Sequence, residues 1–444
     1  MNVMTHLHEL KPLENIIDTI EIPTLFGDDK NSCISSCIEY LYSCCESNPK
    51  IFCKSDYHQY LCNYIDEYMD IVFENLENYD YEDEIDDFKH NVFKQFYLIV
   101  PKRSKKRNSV IYKITEKYSE YITTKLEFIE EKDKVQPEQR TQKWFEQRHN
   151  LLSASTIWKA IDKQNYKNAL IFEKCEPIDP EKYNKVSINT PFHHGQKYEP
   201  VAQGYYEYKY DAIIKEYGCI PHSKYKFLGA SPDGINIKKT SDRYGRMLEI
   251  KCPTTREITG IPKKEYWIQT QLQMECCDLE ECDFLECSFK EYENDEEANN
   301  DGTFQYTKDN KYKGVIVQFY HNTKPYYEYA PFNISKELFD KWYEEIMKAN
   351  SDKTWIKNIY WKLENVSCVL IQRNRLWFNN VVDEMSELWD TIIKERETGH
   401  QHRKPTKRTR KTVKNELKSN SVLDILSQQL KKSSKEEKII VINT

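Results

Sequence analysis

The stretch Gly229–Ile235, together with the segment that follows it, constrains the fold of this chain more than any other part of the sequence. Pro232 and Gly234 flank Asp233, and this order of residues is typical of a tight turn. In such a turn the Asp233 carboxylate is presented to its surroundings rather than packed into the core. We therefore predict a strand, a tight turn and a second strand around this acid.

The segment Leu248–Lys251 is apolar apart from two charges and predicts the strand after the turn. Because residues two apart in a strand point to the same side, Glu249 and Lys251 share one face and Ile250 faces the other. A hairpin would bring the Asp233 and Glu249 carboxylates close together, and their repulsion must then be offset. Mg²⁺ fits this need, since it prefers oxygen ligands and is commonly held by one or two carboxylates. Ordinary solvated strand charges are the alternative.

Length and composition limit the classes of protein to which the chain can belong. It has 444 residues, of which 39% are hydrophobic and 13% aromatic, and this length suggests about two or three domains. No run of about 18 apolar residues occurs, so no membrane span is expected. The net charge of −7 does not by itself indicate a nucleic-acid-binding protein. Fourteen cysteines without a visible secretory signal favour reduced thiols and a protein that is not secreted.

Changes in composition along the chain predict four regions. Residues 1–135 carry apolar residues at helical spacing and are expected to form an N-terminal helical domain. Residues 136–350 mix helical and strand-like segments, and residues 351–398 are expected to form a C-terminal helical extension. Residues 399–444 are rich in Lys and Arg and predict a basic, largely disordered tail that binds DNA, acts as a nuclear signal or aids solubility. The basic run at residues 101–107 could bind the phosphate backbone, act as a nuclear localisation signal or form an exposed loop.

A polar segment near the start of the second region has the composition of a phosphate site. Trp144 and Arg148 are four residues apart and lie on one helix face, and Ser153 or Ser155 can cap a helix that begins at Thr156. A helix N-terminus with hydroxyl groups and a guanidinium nearby binds phosphate readily. An ordinary pair of capped helices is the alternative.

Two predicted helices carry polar residues that stand out from their apolar neighbours. Glu199 lies in the first turns of a helix predicted near residues 192–210, where a solvated acid that complements the helix dipole is the alternative to a functional role. Gln269 and Gln273 are four residues apart on an amphipathic helix predicted for residues 263–277. Their polar face could line a cleft while the opposite face packs.

These motifs occur in the order seen in the YqaJ viral recombinase and lambda-type exonuclease family, which the chain resembles over residues 138–330. The residues that carry the resemblance are Trp144 with Arg148, Ser153-Ala154-Ser155, Gly195 with Tyr198 and Glu199, Ser231–Gly234, Glu249–Pro253, and Gln269 with Gln271. The family belongs to the PD-(D/E)XK nuclease superfamily, so the resemblance implies an α/β fold with a restriction-endonuclease-like core, in which helices flank a mixed central sheet. Alkaline nucleases of large DNA viruses look similar, and the Tyr-, Asn- and Lys-rich composition would suit such a source.

The resemblance also implies a role for each matching residue. The implied catalytic residues are Asp233, Glu249, Lys251 and Gln269; the residues for the 5′-phosphate are Arg148, Ser153 and Ser155; and the ligands of Mg²⁺, with Mn²⁺ as a substitute, are Asp233, Glu249, the Ile250 carbonyl and Glu199. The implied activity is 5′-to-3′ digestion of double-stranded DNA in recombination, repair or replication, in the cytoplasm or nucleus of a host cell. A single-strand annealing protein as partner and a homotrimer are implied as well.

Three other functions remain open from the sequence. A structure-specific endonuclease or resolvase of the same superfamily would have the same site with a different route for the DNA. An iron–sulfur nuclease needs one upstream and three closely spaced downstream cysteines, and the cysteines within residues 276–287 fit this pattern poorly. A non-catalytic DNA-binding protein would use the basic segments 101–107 and 400–418, although the complete set of three acids and one lysine argues against it.

Overall fold

We describe the molecule from a computed structural model, which covers residues 30–48, 51–52, 57–72, 82–99, 105–106, 116–138, 141–178, 190–321 and 324–405. The residues through Lys404 form one unit, and those from Pro405 onward form another, of which Pro405 alone is described. The basic tail from residue 406 and most of the basic run at 101–107 therefore lie outside the described residues.

The N-terminal region is helical, as its apolar spacing predicts. Its described helices are α1 (Lys30–Ser47), α2 (Tyr57–Val72), α3 (Glu82–Ile99) and α4 (Glu116–Asp133). Leu41, Leu61 and Phe88 are fully buried where these helices pack together. They belong to the same apolar cluster as Met247 and Trp267 of the second region, so one core runs through both regions.

The second region is built around a mixed sheet. The described strands of the chain are β1 (Lys105–Lys106), β2 (Leu152–Ser153), β3 (Ile214–Lys215), β4 (Ile220–Pro221), β5 (Leu228–Ala230), β6 (Gly234–Asn236), β7 (Met247–Lys251), β8 (Glu281–Glu291), β9 (Lys313–His321), β10 (Lys324–Tyr329) and β11 (Thr354–Gln372). The main sheet has the order β10–β9–β11–β8–β7–β6–β3, and β1 pairs with the end of β11. Within it β7 and β8 are parallel, whereas the other neighbours are antiparallel. Strands β2, β5 and β4 form a smaller sheet.

Helices cover both faces of the central strands. The remaining described helices are α5 (Gln142–His149), α6 (Gln164–Cys175), α7 (Pro191–Tyr210), α8 (Lys264–Cys277), α9 (Asp295–Asn300), α10 (Lys336–Ala349) and α11 (Arg375–Thr398). On one face, Tyr206 of α7 donates to Asp283 of β8 at 2.6 Å. On the other face, Tyr266 of α8 stacks on Phe284, the next residue of β8, because successive strand residues point to opposite sides. The predicted fold class is confirmed.

Residues 351–398 differ from the predicted helical extension. The segment Thr354–Gln372 is the long strand β11, whose first part pairs with β9 and whose second part pairs with β8. Only the part from Arg375 onward is helical. The alternation of the buried residues Ile359, Trp361 and Leu363 with more exposed neighbours has the period of a strand. The boundaries of the four predicted regions stay predictions.

Helix α4 joins the N-terminal region to the segments around the predicted hairpin. The Thr123 hydroxyl lies 2.9 Å from the Tyr244 hydroxyl, in the loop between β6 and β7. Lys132 donates to the Pro221 carbonyl at 3.0 Å, in the smaller sheet. The first contact ties the N-terminal region to the loop that connects the two acid-bearing segments, and the second ties it to the smaller sheet.

The cysteines that the structure describes are free thiols. Cys37 and Cys45 of α1 are fully buried, and burial raises the pKa of each thiol to about 12. They pack as small apolar side chains. None of the described helices is both long and apolar enough to cross a membrane.

Candidate active site

The predicted hairpin forms, and it places Asp233 against the neighbouring strand. Strands β6 and β7 pair with Gly234 opposite Leu248, and Asp233 Oδ2 accepts a hydrogen bond from the Ile250 N–H at 2.6 Å. Gly234 has no room for a side chain, since a Cβ there would lie 2.1 Å from Ile214 Cγ2. Glycine at this position therefore permits the close approach of β3 that fixes the turn.

Glu249 and Lys251 point to the same face of β7, as strand alternation predicts, and their side chains form an ion pair. The Glu249 side chain is fully buried, whereas Lys251 keeps 24% of its side-chain surface exposed. Burial lowers the pKa of Lys251, but the Glu249 and Asp233 carboxylates outweigh that effect and raise the pKa overall. Lys251 is therefore a cation that can reach both the buried acid and the solvent.

Two glutamines of α8 hold the Glu249 carboxylate. Gln269 donates from Nε2 to Oε1 at 2.7 Å, and Gln273 donates from Nε2 to Oε2 at 2.7 Å. The Gln273 amide also lies 3.2 Å from the carbonyl of Ser231, in the turn that carries Asp233. Gln269 is a predicted catalytic residue, whereas Gln273 is predicted only to lie on the same polar helix face. Its position four residues after Gln269 on one helix face was the available signal.

Helix α8 is not amphipathic as predicted, because every residue from Trp267 to Cys277 is buried. The face with Gln269 meets the site, and the opposite face meets the core and the start of α11. There Gln271 donates to the Gln372 carbonyl at 3.0 Å and accepts from the Asn374 N–H at 2.7 Å. Gln271 thus supports the packing of α8 rather than the site.

The acids of the site repel each other. Burial raises the pKa of Asp233 well above its usual range, and the carboxylates of Glu249 and Glu199 raise it further, while Lys251 lowers it. Glu199 lies on α7 and is exposed. Burial raises the pKa of Cys252, which follows β7, and the charge of Glu199 raises it further. The structure therefore places Glu199 near enough to Asp233 and β7 for its charge to act on both.

The donor set fits an oxygen-preferring divalent cation. Asp233 and Glu249 supply carboxylate oxygens, and the repulsion between them is of the kind that a cation such as Mg²⁺ relieves. Among the residues that the structure describes, no group of three or more His, Cys, Asp or Glu side chains is arranged to hold a metal ion. The assignment of Asp233, Glu249, the Ile250 carbonyl and Glu199 as ligands of Mg²⁺ stays a prediction.

The three residues predicted for the 5′-phosphate come together. Arg148 Nη2 lies 3.5 Å from Ser155 Oγ, and the guanidinium lies over the Trp144 ring at 4.6 Å. Ser153 is buried, whereas Ser155 is exposed, and their hydroxyl oxygens lie 3.4 Å apart. Lys174, which the sequence argument did not single out, donates from Nζ to the Arg148 carbonyl at 2.6 Å. The arrangement presents several hydrogen-bond donors on one side of the smaller sheet.

The smaller sheet connects this cluster to the turn of the hairpin. Strand β2 runs parallel to β5 with Ser153 opposite Gly229, and the Ala154 N–H donates to the Gly229 carbonyl at 3.0 Å. Strand β5 then leads directly into the turn that carries Asp233. The two predicted sites therefore lie on adjacent strands.

The predicted cap at this place is wrong in detail. The helix after Ser155 is a short 3₁₀ helix, Ile157–Ile161, whose N-cap Thr156 makes no capping hydrogen bond from its side chain. The Ser153 hydroxyl instead lies 3.1 Å from that of Thr156. The hydroxyl groups of this segment therefore contact one another and do not cap an α-helix.

Comparison with known protein families identifies the class of this region. The family model described as the YqaJ-like viral recombinase domain matches residues 143–280. This range begins at the second residue of α5, includes the hairpin and ends just after α8. The resemblance drawn from the motifs is thus confirmed for residues 143–280.

Individual proteins similar to this chain come from a virus and from a bacterium. A protein of Acanthamoeba polyphaga mimivirus, called uncharacterized protein R354, is 31% identical over 320 residues, which is 62% of this chain and 56% of the relative. The chain therefore spans little more than half the length of that relative. Two solved structures of an alkaline exonuclease (LHK-Exo) from Laribacter hongkongensis, one in complex with dAMP, show 20% and 22% identity with TM-scores of 0.35 and 0.34. The match covers 58% of this chain and 95% of each of theirs.

Proposed function

We propose that this protein is a Mg²⁺-dependent deoxyribonuclease that digests double-stranded DNA from its 5′ ends. The observation that carries the proposal is the Glu249 carboxylate, which is buried, held by two glutamines, paired with Lys251 and close to Asp233. Carboxylates that lie this close together destabilise the fold. Strongly shifted pKa values of this kind are typical of functional sites. The YqaJ-like domain that contains these residues supports the same chemistry.

Each residue of the site has a defined part in the hydrolysis of a phosphodiester. Asp233 and Glu249, with the Ile250 carbonyl and with Glu199 nearby, would hold Mg²⁺, which when bound neutralises charge on the phosphate and lowers the pKa of water. Lys251 keeps its ammonium group partly exposed and orients the attacking water and a phosphate oxygen. The two glutamines of α8 keep the Glu249 carboxylate in one orientation.

The cluster of Arg148, Ser153 and Ser155 supports the choice of a DNA end as substrate. A guanidinium and hydroxyl groups are donors that suit a terminal phosphate. Because the cluster lies one strand away from the segment that leads to Asp233, a phosphate bound there leaves the first phosphodiester close to the acids. This proximity favours attack at an end over attack within a chain.

Digestion of matched DNA substrates tests the proposal. Linear duplexes labelled at the 5′ or the 3′ end and a closed circle of the same sequence are incubated with Mg²⁺, with Mn²⁺ and with EDTA. We expect early release of the 5′ label, an intact circle, no cleavage in EDTA and none by Glu249→Ala. Cleavage of the circle would indicate an endonuclease instead, and a wild-type protein without any cleavage would reject the nuclease function.

The biological setting forms part of the same proposal. The similarity to a mimivirus protein is in keeping with a large DNA virus as the source and with a role in viral DNA recombination, in the cytoplasm or nucleus of the host. The homotrimer and the single-strand annealing protein stay predictions. Mass measurement of the purified protein in solution tests the first of them.

A further inference from the structure

The strand next to β7 carries another buried carboxylate, that of Glu286. Strands β7 and β8 are parallel with Lys251 opposite Glu286, and Glu286 is 1% exposed. Neighbouring strands of a sheet lie about 4.8 Å apart, and residues in register point to the same face. Glu286 therefore lies on the face where Lys251 meets Glu249.

Arg256 neutralises this second acid. It lies in the loop between β7 and α8, and its guanidinium forms an ion pair with the Glu286 carboxylate. A second nitrogen, Nη1, donates to the Glu257 carbonyl at 3.2 Å. Removing one partner of a buried ion pair leaves an uncompensated charge, which is strongly unfavourable. Arg256 thus offsets the burial of Glu286.

The Tyr266 ring lies near both Lys251 and Arg256. It stacks on Phe284 with 5.8 Å between the ring centroids. The Lys251 ammonium lies 5.3 Å from its centroid, and the centre of the Arg256 guanidinium lies 5.7 Å from it. The face thus holds two ion pairs, Lys251 with Glu249 and Arg256 with Glu286, beside one aromatic ring.

We propose that Arg256 is a positioning residue for Lys251. By occupying the Glu286 carboxylate, Arg256 prevents that acid from competing with Glu249 for the lysine ammonium. Without Arg256 the ammonium is shared between two carboxylates on adjacent strands and is drawn away from the reacting phosphate. This inference rests on the proposed nuclease function and assigns Arg256 to the chemical step rather than to DNA binding.

Removal and restoration of the charge balance test the proposal. With linear duplex and Mg²⁺, Arg256→Gln is expected to lower kcat about tenfold and to leave KM within about twofold of wild type. The double variant Arg256→Gln/Glu286→Gln removes the competing charge as well, and we expect kcat to return to within about threefold of wild type. DNA binding in EDTA, followed by fluorescence anisotropy, is expected to be the same for all three proteins. A double variant as slow as Arg256→Gln, or an Arg256→Gln with the kcat of wild type, would overturn the proposal.

Two controls separate this effect from a general loss of charge or of fold. Arg375→Gln removes an arginine from a more exposed ion pair with Glu280 at the start of α11, and it should retain the kcat of wild type. If Arg256→Gln does not fold, Arg256→Lys replaces it, since a lysine keeps the charge but not the planar donors. Arg256→Lys is expected to keep kcat within about threefold of wild type. A loss as large as about tenfold in kcat would contradict the proposal. If wild type cleaves DNA and Arg256→Gln has the same kcat, this inference alone is contradicted. If wild type is inactive, the proposed function is contradicted.

Discussion

Gln273 donates its side-chain amide to Glu249, with 2.7 Å between Nε2 and Oε2, and the same nitrogen lies 3.2 Å from the Ser231 carbonyl. One side chain therefore contacts both the strand that carries Glu249 and the turn that carries Asp233. With Gln269 on the other oxygen, both oxygens of a fully buried carboxylate are satisfied, and an unsatisfied buried charge would be costly. Helix α8 thereby fixes the relative position of the two acids.

Gln273→Leu is expected to lower kcat about tenfold, because Glu249 loses a preorganised donor. Gln271→Leu is the matched control on the same helix, since Gln271 contacts the Gln372 and Asn374 backbone instead of the site. It should lower the melting temperature but keep the kcat of the folded protein within about twofold. Kinetics on a linear duplex and thermal unfolding measure the two effects, and equal kcat values for the two variants would contradict the role of Gln273.

Asp233→Asn is expected to abolish cleavage and to stabilise the metal-free protein. Burial and the nearby carboxylates raise the pKa of Asp233, so near neutral pH its charged form opposes folding. Asparagine keeps an acceptor for the Ile250 N–H and removes the charge. We therefore expect a higher free energy of unfolding for Asp233→Asn than for wild type. Unfolding in EDTA measures this gain, and a variant less stable than wild type would show that the acids do not repel each other appreciably.

Local periodicity predicts the geometry at the centre of the candidate site. The shared face of Glu249 and Lys251 follows from the period of two in a strand, and the turn at Asp233 follows from its flanking proline and glycine. Both are properties of a few consecutive residues. For the same reason Gln269 could be placed on a polar helix face. Which of the neighbouring glutamines reaches Glu249 depends on the rotation of α8 over the sheet, which is set by tertiary packing.

Long-range pairing is the part that the sequence could not supply. Arg256 and Glu286 are separated by all of α8, and their pairing depends on the parallel register of β7 and β8. Strand β11 is inserted between β8 and β9 although it follows both in the chain. Within Thr354–Gln372 the residues alternate with the period of a strand, whereas helices lie on both sides of it in the chain.

His222 is expected to make the fold sensitive to acid. Its Nδ1 accepts from the N–H groups of Lys224 and Tyr225, each at 3.0 Å, and its ring stacks on Phe378. Burial, with the charges of Lys132 and other nearby cations, lowers the pKa of His222 to about 4. The unfolded chain therefore takes up this proton at higher pH than the native protein does. The stability that the neutral His222 contributes is fully present above about pH 6.5 and is lost as the pH falls towards 4.

His222→Gln removes this titration. Between pH 7 and pH 4, the unfolding free energy of wild type should fall by roughly 3 kcal/mol relative to that of His222→Gln. This magnitude follows from about 1.4 kcal/mol per pKa unit. Urea unfolding at several pH values measures it. A difference that does not change with pH would contradict the neutral state of the buried imidazole.

Gly245→Ala is expected to disturb the contact between the N-terminal region and the hairpin. Gly245 has a φ of +74°, and a Cβ there would lie 2.2 Å from Ile122 Cγ2 of α4. Strain of this kind costs about 1–3 kcal/mol. Gly195→Ala is the matched control, because nothing lies within 4 Å of a Cβ at that position of α7 and alanine favours a helix. Thermal unfolding compares the two variants, and equal melting temperatures would show that α4 does not hold the loop.

Arg148→Gln is expected to remove the preference for a phosphorylated DNA end. Arg148 Nη2 donates to Ser155 Oγ at 3.5 Å, so the guanidinium and this hydroxyl lie side by side. A hydrogen bond to a charged group contributes about 1.5–3 kcal/mol, so wild type should degrade 5′-phosphorylated duplex at least about tenfold faster than 5′-hydroxyl duplex. Lys159→Gln, which removes a nearby cation paired with Glu173, is the control for a general loss of positive charge and should keep this ratio. Initial rates on the two substrates give the ratio for each protein. A ratio for Arg148→Gln equal to that of wild type would place the terminal phosphate elsewhere, because the donors of this cluster would then contribute nothing to its recognition.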